Sequence, residues 1–267
     1  MGQRTRVAVV GAAGRMGLET VKALTPAEGF DVVAVVGRSK AGTNFREFLP
    51  AGPDLVLEDK LGAALDRTKP DVIVDYAHYS AAGDHADQAT KRGIPFVFGM
   101  TGISDSEVRN IKDMIRDTGV PGMIVPNFAI GAVLMMRFAE MAAQWMPDCE
   151  IIEMHHEKKE DAPSGTAMST AQRIGAARKQ EPTKLPRQTL KVEGARGGNA
   201  NGVPVHSVRL PGLLAHQMVM FGSPGEILTL RHDSSDRAGF MEGVKLCVRR
   251  VPELKGLTIG MDKLLFP

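Results

Sequence analysis

Between Glu150 and Ser169 the chain reads EIIEMHHEKKEDAPSGTAMS. Side chains alternate faces along a strand, so His155 and His156 point in different directions if both end the same strand. An imidazole titrates near neutrality and can hand over a proton, while the ammonium of Lys159 can hold a carboxylate or supply a second proton. Asp161 and Pro163 break the chain, Ser164 can cap a new helix, and the N–H groups of Gly165 and Thr166 at its start make a receptor for a carboxylate or phosphate. Taken singly, each feature has an ordinary reading: a lone histidine is more often structural, and most such turns are plain caps. In conjunction they put a proton donor and a cation beside an anion receptor, which suits a small polyanionic substrate. No third ligand stands at metal spacing, so no metal is expected.

A second constellation opens the chain. In RVAVVGAAGRMGLETVKAL an apolar strand runs into Gly11, Gly14 and Gly17 and then into a helix. This GxxGxxG is a dinucleotide fingerprint with its second glycine displaced by one residue. Glycines there permit a tight turn and let backbone N–H groups approach a pyrophosphate at the helix N-terminus. A turn that merely packs helix on strand is the plain alternative, and the position at a first strand-to-helix corner favours the dinucleotide. An NAD site usually has an acid at the end of the next strand to accept from the ribose hydroxyls. Here that corner reads Gly37, Arg38, Ser39, Lys40. Arg38 and Lys40 are suited to a 2′-phosphate instead, so NADPH is the expected cofactor, with NADH as the alternative.

These residues need a frame. FDVVAVVGR, DVIVDYA, IPFVFGMTG and PGMIVPNFA read as further strands, separated by helical segments that include 81–92 and SEVRNIKDMIRDTG. Strands alternating with helices imply parallel βαβ units. Residues 1–127 are therefore expected to form a doubly wound α/β dinucleotide-binding domain of Rossmann type. IGAVLMMRFAEMAAQWM has helical apolar spacing and connects onward. CEIIEMHH, VHSVRL, HQMVMF and EILTLRH then read as strands with short Pro/Gly turns, which favour antiparallel pairing. Residues 128–235 are expected to be a smaller α+β domain with a mixed or antiparallel sheet, and the helix within 236–267 to pack on the first domain.

Composition sets the outer limits. The net charge of +2, from 33 basic against 31 acidic residues, gives no reason to expect a nucleic-acid or membrane partner. Cys149 and Cys247 form no CxxC pair, which argues against a disulfide framework and fits a reducing compartment. A strand begins almost at once, leaving no room for a signal peptide, and after Gly2 the chain has Arg6 where a myristoylation signal wants Ser or Thr. No apolar run is long enough to span a bilayer. The expectation is a soluble, cytoplasmic protein.

EMHHEKKEDAPSGTA closely resembles the HHxxKxDxPSGTA signature of bacterial-type dihydrodipicolinate reductases, also called 4-hydroxy-tetrahydrodipicolinate reductases. VAVVGAAGRMG, FGMTG, VPNFAIG and SVRLPGLLAHQMVMFGSPGEILTLRHDSSDR are similar to other landmarks of that family in the same order, so the resemblance covers nearly the whole chain. It implies an oxidoreductase of the diaminopimelate route to lysine, which reduces 4-hydroxy-tetrahydrodipicolinate with NADH or NADPH and loses water. It further implies His155 as proton donor and Lys159 as second donor. His156, Ser164, Gly165, Thr166 and Thr101 would contact the substrate. Gly11, Ala12, Ala13, Gly14, Arg15 and Met16 would form the pyrophosphate loop, with Gly17 closing the glycine motif. Gly99, Met100 and Thr101, with Val125, Pro126, Asn127 and Phe128, would line the nicotinamide. A homotetramer built through the second-domain sheets is implied too.

The sequence departs from the family pattern at two points. The usual Gly-Thr-Thr is Gly99-Met100-Thr101, which removes one hydroxyl from the cofactor side. Gly37 stands where many relatives carry an acid, which again favours NADPH. Two rival readings, another two-domain dehydrogenase or a non-enzymatic sensor of NADPH, lack a use for the paired histidines and lysine beside the Pro-Ser-Gly-Thr turn.

Overall fold

The strand that opens the chain, β1 (Thr5–Val10), buries Val7, Ala8, Val9 and Val10 in succession. Such a run, with no polar face, demands cover on both sides of a sheet. The computed structural model describes residues 4–184, 186 and 189–266; Gly2 and Pro267, the latter the end of the expected C-terminal segment, lie outside them. The chain divides into two compact units, Met1–Phe128 with Phe240–Pro267, and Ala129–Gly239.

In the first unit β1 is followed by α1 (Arg15–Leu24), β2 (Phe30–Val36), α2 (Leu61–Thr68), β3 (Val72–Asp75), α3 (Ala82–Thr90), β4 (Phe96–Phe98), α4 (Asp105–Thr118) and β5 (Gly122–Ile124). In the second follow α5 (Ile130–Ala143), β6 (Asp148–His155), α6 (Gly165–Ala177), β7 (Gly198–Ala200), β8 (Val203–Arg209), β9 (Ala215–Ser223) and β10 (Glu226–Ser234). The chain then returns to the first unit with α7 (Met241–Arg250), β11 (Leu257–Ile259) and α8 (Asp262–Leu265).

The first sheet has the order β11-β5-β4-β3-β1-β2, and every neighbouring pair is parallel. One core layer gathers Ala8, Val10, Ile73, Phe96 and Phe98 with Leu61, Leu65, Ala86, Ile111 and Ile115 of α2, α3 and α4. The alternate strand residues, such as Val9 and Val74, are buried on the opposite face. On that face Val21 and Leu24 of α1 and Val244, Cys247 and Val248 of α7 are buried, and α1 and α7 pack together. This is a doubly wound, Rossmann-type sheet. Its third position is reduced to a single parallel bridge, Val36 to Glu58, beyond β2. Counting that bridge as a strand gives the dinucleotide-binding order, with the chain crossing from β2 to the other side of β1.

Local signals fix the helix ends. Ser104 accepts from the Glu107 N–H at the start of α4, with Asp105 and Glu107 in its first turn, and Gly119 ends it in the left-handed region at φ 74°.

The second sheet has the order β10-β9-β6-β8-β7. β9 pairs antiparallel with both β6 and β10, and β7 with β8, as short connections favour. The central pair β6–β8 is parallel, because the chain between them passes through α6 and returns as a crossover. The sheet is therefore mixed.

No helix of the described residues is long and apolar enough to cross a membrane.

Candidate active site

In the first unit the carboxyl ends of the parallel strands carry Gly11, Arg38, Tyr76, Gly99 and Val125 in turn. The glycine corner sits where β1 and β3 adjoin, the place where the winding reverses. Gly11 has φ +71°, and a Cβ on it would stand 3.0 Å from the Tyr76 carbonyl carbon. A Cβ on Gly17 would stand 2.2 Å from the Gly11 carbonyl oxygen, so α1 can seat against the loop only with glycine there. Gly14 is the N-cap of α1 and supplies no side-chain cap, and the first turn holds no acidic residue. A helix start of this kind, uncapped and with its positive end unneutralised, fits a pyrophosphate.

Among the other expected cofactor contacts, Arg15 is exposed, Ala13 and Met16 are half-buried, and Ala12 is buried with its N–H donated to the Val36 carbonyl at 3.1 Å. Ala12 and Val125 can meet a ligand only through backbone. Met100 turns its side chain into the core beside Phe98 and Ile111 and is 5% exposed, so it too offers backbone alone. Gly99 is pinned between rings: a Cβ would lie 2.5 Å from Tyr76 Cε1 and 2.8 Å from Phe128 Cε2. Tyr76 and Phe128 meet edge to face at 6.0 Å, and the Tyr76 hydroxyl bonds Thr20 Oγ1 at 2.8 Å. Pro126 and Thr101 are exposed, Asn127 half-buried. Arg38 is exposed and makes no ion pair among the described residues, whereas Lys40 lies over the Phe48 ring at 5.5 Å. Sequence reasoning missed a neighbour of this corner. Asp75, fully buried at the end of β3, accepts from Ala77 N–H at 2.7 Å and meets His85 Nδ1 at 2.5 Å.

In the second unit β6 ends at His155, and His156 lies beyond it with its carbonyl accepting from Lys159 N–H at 3.2 Å. Ser164 caps α6, its Oγ accepting from Ala167 N–H at 3.2 Å, which leaves Gly165 and Thr166 in the first turn. Lys159 Nζ donates to Asp161 Oδ1 at 2.7 Å, and this partner holds the Asp161 carboxyl below its usual value.

Two residues absent from the sequence reading organise this group. Glu153 is fully buried, faces the same side of β6 as His155, and meets His155 Nδ1 through Oε2 at 2.5 Å. Arg209, the register neighbour of His155 on β8, grips Glu153 with both Nη atoms, at 2.9 and 2.8 Å. Burial works to raise the Glu153 carboxyl, but hydrogen bonds from Arg209, Ser207 and His155 outweigh it and hold the group below its ordinary value. His155 is held below the ordinary imidazole value, first by burial and then by the charges of Lys159 and Arg209, against the raising effect of Glu153. The pair is thus an ionised carboxylate and a neutral imidazole whose proton sits on Nδ1. Such an imidazole has Nε2 as its proton-exchanging atom. The signal for Glu153 was present in the strand's E-x-H spacing; nothing local marks Arg209.

The model for the N-terminus of dihydrodipicolinate reductase matches residues 5–128, and that for its C-terminus matches residues 131–265. The chain is 45% identical over 266 residues to the 4-hydroxy-tetrahydrodipicolinate reductase of Syntrophomonas wolfei, covering 99% of this chain and 100% of that one. It is 40% identical over 263 residues to the protein of the same name from Bacillus pumilus, covering 98% of each. Among solved structures it is similar to dipicolinate-bound dihydrodipicolinate reductase from a Paenisporosarcina species, at 39% identity and TM-score 0.87, covering 98% of this chain and 100% of that one. A myo-inositol 2-dehydrogenase from Lactobacillus plantarum, 11% identical with TM-score 0.63 and coverage of 93% and 89%, shares the fold alone.

Proposed function

The chain belongs to the dihydrodipicolinate reductase family, and from that premise we propose that it reduces 4-hydroxy-tetrahydrodipicolinate to tetrahydrodipicolinate, with loss of water, on the diaminopimelate route to lysine. One observation in the second unit carries this reading. The buried Glu153 carboxylate bonds both His155 Nδ1 and the N–H of Ser164, the cap of α6, so a proton carrier and an anion-receiving helix start share one anchor.

A bound nicotinamide supplies hydride. The residues of this chain do the rest. Gly11, Gly14 and Gly17, with the start of α1, hold the pyrophosphate, and Ala12, Gly99, Met100 and Val125 offer backbone along the cofactor. Thr166 and Gly165 receive one carboxylate of the substrate, and Lys159 and His156 take part in holding the dianion. His155 takes up a proton at Nε2 and delivers it to the carbon beside the one receiving hydride, which completes the reduction and returns the imidazole to its neutral Nδ1–H form. Lys159 is the second proton donor. Arg38, exposed and in no ion pair among the described residues, selects the 2′-phosphate, so NADPH is the preferred cofactor and NADH the poorer one.

Oxidation of NADPH, followed as enzymatically generated 4-hydroxy-tetrahydrodipicolinate is supplied, tests the reading, and absence of turnover overturns it. The resemblance extends the proposal to a cytoplasmic homotetramer joined through the second-unit sheets. Ile227, 77% exposed on the edge strand β10, supports an apolar partner there. A monomeric mass by light scattering at micromolar protein contradicts the tetramer.

A further inference from the structure

We propose that Glu153 and Arg209 are positioning residues for His155: Glu153 sets the imidazole tautomer, and Arg209 fixes Glu153 and the loop bearing Lys159 in one frame. The inference rests on the reading of His155 as the proton carrier.

An ionised carboxylate accepts hydrogen bonds and donates none. Glu153 is fully buried, and four N–H donors meet its two oxygens beside the hydrogen bond from Ser207. Oε1 accepts from Arg209 Nη2 at 2.8 Å and from Ser164 N–H at 3.2 Å. Oε2 accepts from Arg209 Nη1 at 2.9 Å and from His155 Nδ1 at 2.5 Å. A carboxylate so placed stays charged only because a guanidinium faces it, since an unpaired buried charge is costly. With the carboxylate charged, the neutral imidazole must carry its proton on Nδ1, and Nε2 is left to exchange protons with a ligand.

Arg209 does more than neutralise. Its Nη2 also donates to the Asp161 carbonyl at 2.8 Å, and the Asp161 carboxylate receives Lys159 Nζ at 2.7 Å. One guanidinium therefore ties β6, β8 and the loop before α6 together. The planar fork suits this; a lysine ammonium reaches fewer of these acceptors at once. Around the pair, Gln217 of β9 and Thr170 of α6 are buried and neutral, with Gln217 Nε2 donating to Thr170 Oγ1 at 2.7 Å. The charged groups acting on His155 are thus Glu153, Lys159 and Arg209.

A simple structural ion pair would hold the strands together without caring which imidazole nitrogen is protonated. The variant Glu153→Gln separates the two roles. The amide oxygen belongs at the Oε1 position, because Arg209 Nη2 and the Ser164 N–H there can only donate whereas His155 Nδ1 at the Oε2 position can switch to accepting, which turns the amide NH₂ toward His155 Nδ1. Nδ1 then becomes an acceptor and the proton moves to Nε2. In ¹⁵N-histidine-labelled enzyme, with the His155 signals assigned by their loss in His155→Gln, the wild type should show an Nδ1–H imidazole and Glu153→Gln an Nε2–H imidazole. With NADPH and the dicarboxylate, kcat should fall roughly 10²- to 10³-fold, as when a general base is held in the wrong tautomer, while KM for NADPH stays unchanged. Arg209→Lys should keep the Nδ1–H form and lower kcat by about tenfold, because charge is retained and the fork is lost. An unchanged tautomer in Glu153→Gln overturns the proposal. Should that variant fail to fold, a wild-type kcat in Arg209→Lys overturns it equally. If the wild type itself does not turn over the dicarboxylate, the proposed function fails, and the tautomer spectra still decide whether Glu153 sets the imidazole.

Discussion

In the first unit His85 Nδ1 lies 2.5 Å from Asp75, and in the second His155 Nδ1 lies 2.5 Å from Glu153. In both pairs the carboxylate side chain is fully buried and the imidazole side chain is 15% exposed. By geometry the pairs are twins, yet His85 is held above the ordinary imidazole value and His155 below it. Burial pulls both down. At His85 it is outweighed by the bond to Asp75, the charge of Asp75 and the further charge of Asp84, with only Arg38 opposing. At His155 the charges of Lys159 and Arg209 stand against Glu153, and burial prevails. The third group, rather than the histidine–carboxylate bond, decides the charge of the imidazole. His85 therefore holds its proton more tightly than an ordinary imidazole, and His155 less tightly, which leaves His155 a neutral group ready to exchange a proton.

The largest expected effect follows from that contrast. His155→Gln should lower kcat by about 10²- to 10⁴-fold, the range for a lost acid/base group, and Lys159→Met should act similarly. Binding of NADPH, followed by its fluorescence, should not change, since the pyrophosphate loop lies in the other unit. The same substitution at its twin, His85→Gln, should leave kcat within about threefold, because a group that takes no part in the chemical step adds nothing specific to its transition state. Equal losses at the two histidines would dissolve the distinction.

A smaller effect concerns the cofactor corner. Arg38→Asp should lower kcat/KM for NADPH by roughly 10- to 100-fold, as expected for losing a charge-assisted bond to phosphate, and touch NADH far less. A parallel loss with both cofactors would mean that Arg38 does not read the 2′-phosphate. Smaller again, Thr166→Val should raise KM for the dicarboxylate by about 3- to 10-fold with kcat nearly kept, because a single hydroxyl contact present throughout turnover is worth about 1 kcal/mol. A fall in kcat without a change in KM would assign Thr166 to the transition state instead.

What could be foreseen about these two regions follows how local its causes are. Gly11 needs glycine for its own φ of +71° and Gly17 for its approach to the Gly11 carbonyl six residues earlier, and Ser164 caps the helix that begins at the next residue, so these were legible. The cofactor corner also held Asp75 at the end of VIVD and His85 on α3, but their pairing depends on how α3 lies against β3, which no spacing rule gives. Arg209 reaches Glu153 only because β8 lies in parallel register with β6, after the crossover through α6. Short connections suggested antiparallel neighbours and hid that pairing. Likewise β11, three residues long, carries too little periodicity to announce itself, and α2 follows a Pro/Gly-containing stretch that reads as loop. Met100 shows the converse. Its type marked it as a poor cofactor ligand, and the fold uses the side chain as core.

The smallest expected effect is on stability, and it sharpens the comparison because its sign differs between the twins. His85 binds its proton more tightly folded than unfolded. Its contribution to stability is fully present below the ordinary imidazole value of 6.5 and is lost as pH rises through the folded value above it. His155 binds its proton less tightly folded than unfolded. Its contribution is fully present above 6.5 and is lost as pH falls through the folded value below it. The two windows adjoin at the ordinary value without overlapping. Urea midpoints of the wild type, His85→Gln and His155→Gln, measured from about pH 5 to pH 8, give the two contributions by difference. The wild-type advantage over His85→Gln should shrink only on the alkaline side of 6.5, and that over His155→Gln only on the acidic side. If both advantages shrank on the same side, the opposite shifts of the two imidazoles would be wrong, and with them the claim that Arg209 and Lys159 set the state of the imidazole that delivers the proton.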